Sequence, residues 1–226
     1  MYGAILGDII GSPYEFDMGG KTKDFPLFSP DSEFTDDTVM TIAVGYAFLD
    51  AQPNADSEWI RRRLISSMKQ YGRMFPYAGY GGMFRRWLKC DAPQPYGSFG
   101  NGSAMRVSSA AWLYNDIETV RSMARHSAEV SHYHPVGIKG AEATASAIYL
   151  ARTGNTKAEI KAYIICGVQK GKVCDGMQVF CITGNREQGQ NLLLDSFKFC
   201  TFQFDFINCY LHFLQQIIMA GADSFN

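Results

Sequence analysis

Apolar residues recur at helical spacing along most of the first 165 positions. Gly3, Gly7 and Gly11, four apart, form a stripe flanked by Ile5, Ile9 and Ile10. This predicts a helix over 2–14 suited to close packing against another helix. Asp8 and Glu15, seven apart, fall on nearly one face of it. Residues 17–34 keep no period, carry Gly19, Gly20, Pro26 and Pro30, and read as a loop. Val39, Ile42, Ala43, Tyr46 and Ala47 then trace a second helix through Leu49, with Thr35 to Thr38 as its cap or first turn. A third runs from Asp56 or Ser57 through Tyr71, with Trp59, Ile60, Leu64 and Met68 inward and Arg61, Arg62 and Lys69 outward. Gly79, Gly81 and Gly82 open a loop, and shorter helices are expected over 82–89, 103–114, 117–130, 137–152 and 156–165. Alternating β-branched runs are nearly absent from this stretch, so the fold class is all-α. From about Ile164 the texture changes: five of the six cysteines and a Phe-rich run follow, and no element is assigned there.

Composition narrows the partners. The 226 residues carry 21 basic and 22 acidic side chains, a net charge of −1, which lacks the basic footprint of a nucleic-acid or anionic-membrane binder. One domain over 1–226 is expected at this length, with 164–226 atypical. The N-terminus has no basic region before an apolar run and does not read as a signal peptide. The apolar segment 207–222 is interrupted by Asn208, His212, Gln215 and Gln216 and is too short to span a bilayer. The cysteines make no C-x-x-C pair, so they read as reduced thiols of a cytoplasmic protein.

Three constellations could carry chemistry. Thr35-Asp36-Asp37-Thr38 places two carboxylates and hydroxyls at one turn, hard oxygen donors of the kind Mg²⁺ or Mn²⁺ prefers. The same residues also serve as an N-cap and a dipole-complementing first turn without any metal. Gly97 to Met105 is rich in Gly, Ser and Asn and leads into a helix, so its N–H groups could cradle phosphate or ribose oxygens. A tight turn needs the same residues with no ligand. His132 and His134 form an H-x-H pair, read either as a metal site or as loop imidazoles, one of them binding substrate. Glu15 is a general base if the first helix packs beside Thr35, or else a surface carboxylate.

Taken in order, Gly3-Ala4-Ile5-Leu6-Gly7-Asp8 with Glu15, Phe34-Thr35-Asp36-Asp37-Thr38, Ser98-Phe99-Gly100-Asn101-Gly102-Ser103-Ala104-Met105-Arg106, and His132-Tyr133-His134-Pro135 with Gly140-Ala141 resemble the ADP-ribosylglycohydrolase family. The likeness covers about residues 1–160. It implies an all-α orthogonal bundle holding two Mg²⁺ or Mn²⁺ ions and hydrolysing the bond between ADP-ribose and an acceptor on a protein or small molecule. By the same resemblance Thr35, Asp36, Asp37 and Asp223 are metal ligands, with Glu15, Asp36 and Asp37 catalytic. Ser98, Phe99, Gly100, Asn101, Gly102, Met105 and His132 line the substrate.

The family completes its metal site with a late G-G-D-[ST]-D-T segment. Here Gly221-Ala222-Asp223-Ser224-Phe225-Asn226 stands in that place, and only Asp223 fits a ligand position. That departure suggests truncation, a reading-frame change or a divergent tail. It also opens a second reading, a module that binds ADP-ribose without turnover.

Overall fold

The computed structural model describes residues 2–15, 25–51 and 55–165, and among these it is built from eight α-helices with no strand. They are α1 (Tyr2–Gly11), α2 (Asp36–Leu49), α3 (Ser57–Met74), α4 (Gly82–Lys89), α5 (Ser108–Leu113), α6 (Ile117–Glu129), α7 (Pro135–Arg152) and α8 (Lys157–Tyr163). The all-α expectation holds. A single parallel bridge joins Tyr96 to His132, where the chain before the glycine-rich turn runs beside the α6–α7 connection.

Local chemistry starts most of these helices where polar residues meet apolar runs. Thr35 caps α2, and Asp56, Asp116 and Thr156 cap α3, α6 and α8, each side chain accepting a backbone N–H of the first turn. Thr156 and Glu159 complete a reciprocal capping box. The helix expected over 103–114 is shorter. A 3₁₀ turn at Asn101–Ser103 comes first, and α5 begins only at Ser108. Between them lies Arg106, which is fully buried and faces α6 and the residues just after it.

Helix α2 is the strut around which α1, α3 and α5 pack. Its Val39, Met40, Ala43, Val44, Ala47 and Phe48 meet Leu64 and Met68 of α3 and Phe84, Trp87 and Leu88 of α4 in one apolar cluster. Burying each of the Val, Leu, Met and Phe side chains among these removes it from water at a gain of roughly 1.5–3 kcal/mol. Ser67 donates to the Ala43 carbonyl at 2.6 Å, and Trp87 Nε1 donates to that of Val130 at 3.0 Å, so these two buried donors find partners. Lys69, expected outward, is instead buried. Its ammonium donates to the carbonyls of Cys90 and Asp91, because its long stem spans the groove between α3 and the end of α4. Glu142 of α7 is buried too, paired with Arg121 at 3.2 Å and Arg125 at 2.6 Å from α6.

The described residues lie within one compact unit, Met1–Lys172, and none of their helices is long and apolar enough to cross a membrane. The expected single domain over 1–226 extends beyond them. Gly11, the last member of the glycine stripe, packs against nothing described, since a Cβ there would find no atom within 4 Å.

Candidate functional site

The α1 helix reaches the start of α2 through one side chain. Asp8 accepts from Thr35 N–H at 2.8 Å and Thr38 N–H at 3.1 Å on one oxygen, and from the Thr35 hydroxyl at 2.6 Å on the other. Two of the orphan amides at the α2 N-terminus are thus satisfied by a carboxylate from another helix. The Thr35 oxygen in turn accepts from Asp37 N–H at 3.3 Å. Ser12, in a 3₁₀ turn at Ser12–Tyr14, accepts from Glu33 N–H at 3.0 Å and anchors the approach to Thr35. That turn delivers Glu15 to the same place, although α1 itself stops at Gly11.

Four carboxylates therefore feel one another. Burial raises the Asp37 carboxyl to about 8, with Asp8, Asp36 and Glu15 adding to the rise. Asp36 rises to about 6, from burial and then from Glu15 and Asp8. Glu15 is also raised, by burial and then by Asp8. No basic side chain among the described residues offsets these charges, and neither Asp36 nor Asp37 is paired with another described side chain. An all-oxygen donor set starved of positive charge fits a hard divalent cation. Asp36 and Asp37 are the groups with free oxygens, and Thr35 keeps one lone pair, whereas both Asp8 oxygens are committed to bracing the turn. Among the described residues no three His, Cys, Asp or Glu side chains are grouped so that they could hold a metal ion, so Asp36 and Asp37 could supply at most part of a coordination shell. Asp223, expected to help complete it, lies outside the described residues.

The loop before α4 leads from the acids to the second constellation. Gly79 sits at φ +95°, a conformation that favours glycine, and a Cβ there would lie 3.7 Å from Asp36 Oδ1. Tyr80 follows, buried, with its phenol pushed up to about 12 by burial and by Asp36. Its ring is 5.9 Å from that of Phe84, Phe84 is 6.3 Å from the His132 imidazole, and Tyr96 is 5.3 Å from it on another side. His132 thus stands in an aromatic cage, held neutral at pH 7 by burial and then by the Arg106 charge, which lower its pKa to about 3.

The glycine-rich turn is built against that imidazole. A Cβ on Gly102 would come within 2.8 Å of His132 Nε2, and one on Gly137 within 2.9 Å of the Ser98 carbonyl. Ser103 donates to the Gly137 carbonyl at 2.9 Å, which seats the turn on the first turn of α7. Ser98, buried, accepts from Gly100 N–H at 3.2 Å, so that amide is spent within the turn. Phe99 is exposed and its ring lies 5.2 Å from His134. Asn101 opens the 3₁₀ turn. Met105 packs against the apolar cluster, while its carbonyl accepts from Thr41 at 3.2 Å, tying the turn to α2 one helical turn below the acids. His134 is the α7 N-cap, its Nδ1 accepting from Val136 N–H at 3.2 Å. The two histidines of the H-x-H pair thus have separate structural partners.

The sequence pattern puts Asp8 and Glu15 on one face but gives Asp8 no role, reads Gly79 only as the opening of a loop, and assigns nothing to Tyr80 or Ser131. For Arg106 a signal existed: a lone cation in the small and apolar run from Ala104 to Ala111.

The comparisons with known proteins fall on these same segments. A family model described as ADP-ribosylglycohydrolase matches residues 1–178. The chain is 32% identical over 186 residues to a human protein named ADP-ribosylhydrolase ARH3, an alignment covering 70% of this chain and 50% of that one. The mouse protein of that name is 31% identical, covering 70% and 49%, and the zebrafish (Danio rerio) one is 27% identical, covering 68% and 47%. The chain spans about half the length of the curated relatives it matches. With the acidic turn, the glycine-rich turn and the His132 segment all inside the matched region, the chain belongs to the ADP-ribosylglycohydrolase family.

Proposed function

We propose that this chain takes part in Mg²⁺-dependent hydrolysis of the bond between the ribose C1″ of ADP-ribose and an acceptor group. The observation that carries the reading is the uncompensated pair Asp36 and Asp37 at the α2 N-terminus, linked through Gly79 and Tyr80 to the His132 and Gly102 turn. Family membership and relatives named ADP-ribosylhydrolase support the substrate class. Asp36 and Asp37 would hold the cation, which when bound supplies positive charge to ribose hydroxyls and to a nearby water.

The chain's own residues divide the remaining work. Asp8 fixes the α2 terminus so that Asp36 and Asp37 cannot swing away with a fraying first turn. Glu15 follows the Pro13 turn, its pKa raised by burial and then by Asp8, and it is suited to accept a proton from the attacking water. The water oxygen bonds to C1″ as its proton passes to Glu15, the bond from C1″ to the acceptor breaks with its electron pair staying on the acceptor, and that pair takes up the proton the water lost. The glycine-rich turn lets phosphate or ribose oxygens come close to the backbone beside His132.

The test is release of free ADP-ribose from an ADP-ribosylated protein or small molecule in Mg²⁺. Activity is expected to vanish with EDTA and with Asp36→Ala. Turnover that survives both overturns the reading. A second reading, ADP-ribose binding without turnover, is favoured by Ala222 and Phe225, which replace a glycine and a carboxylate of the late family motif. Calorimetric binding of ADP-ribose with no product in Mg²⁺ or Mn²⁺ selects it.

A further inference from the structure

Arg106 is buried at 0% exposure, yet no carboxylate among the described residues pairs with it. It lies over the Phe84 ring at 5.7 Å, donates from Nε to Ser127 Oγ at 3.2 Å, and donates from Nη2 to the Ser127 carbonyl and to Ser131 Oγ at 2.8 Å. Ser131 is also at 0% exposure, and its hydroxyl has one further hydrogen-bond partner among the described residues, His132 Nδ1 at 2.9 Å. The imidazole is neutral, so one of its two nitrogens carries the proton.

The direction of this chain of hydrogen bonds follows from what each group can do. A guanidinium has only donors, so the Arg106 to Ser131 bond runs one way. Ser131 has one proton to give, and the acceptor facing its hydroxyl is His132 Nδ1. Were Nδ1 protonated instead, two donors would converge on Ser131 and its own buried hydroxyl proton would have no acceptor, the costly case for a group shut away from water. We infer that Arg106, acting through Ser131, fixes His132 as the Nε2–H tautomer, so that its other edge is an obligate hydrogen-bond donor aimed at the Gly102 turn.

That edge has no partner among the described residues, and it approaches Gly102 so closely that a Cβ would stand 2.8 Å from it. Such a donor selects an oxygen that can turn a lone pair toward it, a phosphate oxygen or a ribose hydroxyl. Its neutrality lets it discriminate by geometry rather than by charge. Arg106 and Ser131 are then positioning residues. The choice of ligand rests on the ADP-ribose reading, whereas the tautomer does not.

Long-range ¹H–¹⁵N correlation NMR on the ¹⁵N-labelled full chain at pH 7 reads the tautomer directly, and the chain has only four histidines to resolve. A His132→Gln variant assigns its signals. The expected result for the unaltered protein is a protonated, pyrrole-type shift at Nε2 and a bare, pyridine-type shift at Nδ1. Ser131→Ala is expected to lower the Nε2–H to Nδ1–H ratio about tenfold, the scale set by one buried donor left without an acceptor. An Nδ1–H imidazole in the unaltered protein overturns the inference, as does an unchanged ratio in Ser131→Ala. Calorimetry with ADP-ribose on the same sample separates the two ideas. An Nε2–H ring with no heat of binding removes the ligand reading and leaves the relay intact, while an Nδ1–H ring that still binds ADP-ribose removes the relay alone.

Discussion

Replacing Asp8 tests whether the acidic turn is held from outside α2. Asp8 is 8% exposed and accepts three hydrogen bonds, at 2.6, 2.8 and 3.1 Å, from Thr35 and Thr38. Asp8→Ala removes all three and leaves the buried Thr38 amide without a partner. Hydrogen bonds to a charged acceptor contribute about 1.5–3 kcal/mol each. The three share one acceptor and are not additive, and lost repulsion among the acids offsets part of the cost, so a total of about 3–5 kcal/mol is expected. In a protein of this size that lowers Tm by roughly 6–20 °C. Asp8→Asn keeps the shape, and its amide oxygen can still take both backbone N–H groups. It also relieves the repulsion on Asp36, Asp37 and Glu15, so it is expected to cost about 1 kcal/mol or less. Urea denaturation followed by circular dichroism at pH 7 in EDTA measures both variants. If Asn proves as damaging as Ala, or if Ala lies within about 0.5 kcal/mol of the unaltered chain, the brace does not exist as argued.

The raised Asp36 and Asp37 carboxyls reverse the usual acid dependence. With folded values of about 6 and about 8 against 3.8, their contribution is fully present below about pH 4 and is lost as pH rises through 6 and 8. In EDTA, Tm is expected to fall between pH 5 and 8.5, and Asp37→Asn is expected to flatten the upper part of that fall; a flat profile in the unaltered chain contradicts the charge cluster. Gly102→Ala drives a methyl to 2.8 Å from an imidazole that Phe84, Tyr96 and Ser131 hold in place, so it is expected to weaken ADP-ribose binding at least tenfold by calorimetry and also to lower Tm. Gly137→Ala meets the Ser98 carbonyl at 2.9 Å, where backbone must shift, so a destabilisation of about 1–3 kcal/mol in urea is expected; a neutral effect means the turn is not seated on α7. Thr156→Ala removes the side-chain half of the α8 capping box while the backbone N–H of residue 156 can still donate to Glu159, and a loss of about 1 kcal/mol in the same assay checks it.

How much was legible beforehand can be read from particular residues. The start of α2 was written locally, since a threonine and two acids before an apolar period of 3.6 form a cap whatever surrounds them. The break before α5 was not, because the composition of 103–107 suits a helix, and only the need to bring Arg106 to Ser127 and Ser131 turns the chain there. The helical period puts Lys69 outward by the same rule that places Arg62 correctly. A partner carbonyl twenty-one residues away leaves no trace in the local pattern. His132 and His134 looked equivalent as an H-x-H pair until one became a caged ring and the other a helix cap.

By itself, then, the sequence determined the all-α class and most helix positions, and it singled out Glu15, Asp36, Asp37, the glycine-rich turn and His132 as candidates. Those follow from periodicity, capping and residue chemistry, which act over a few positions of one chain segment. Only the tertiary structure decided that Asp8 braces α2, that Gly79 and Tyr80 connect the acids to His132, and that a buried guanidinium orients an imidazole two groups away. Each of these depends on atoms brought together from separate helices, and the strength of such contacts depends on distance and burial that no spacing of letters contains.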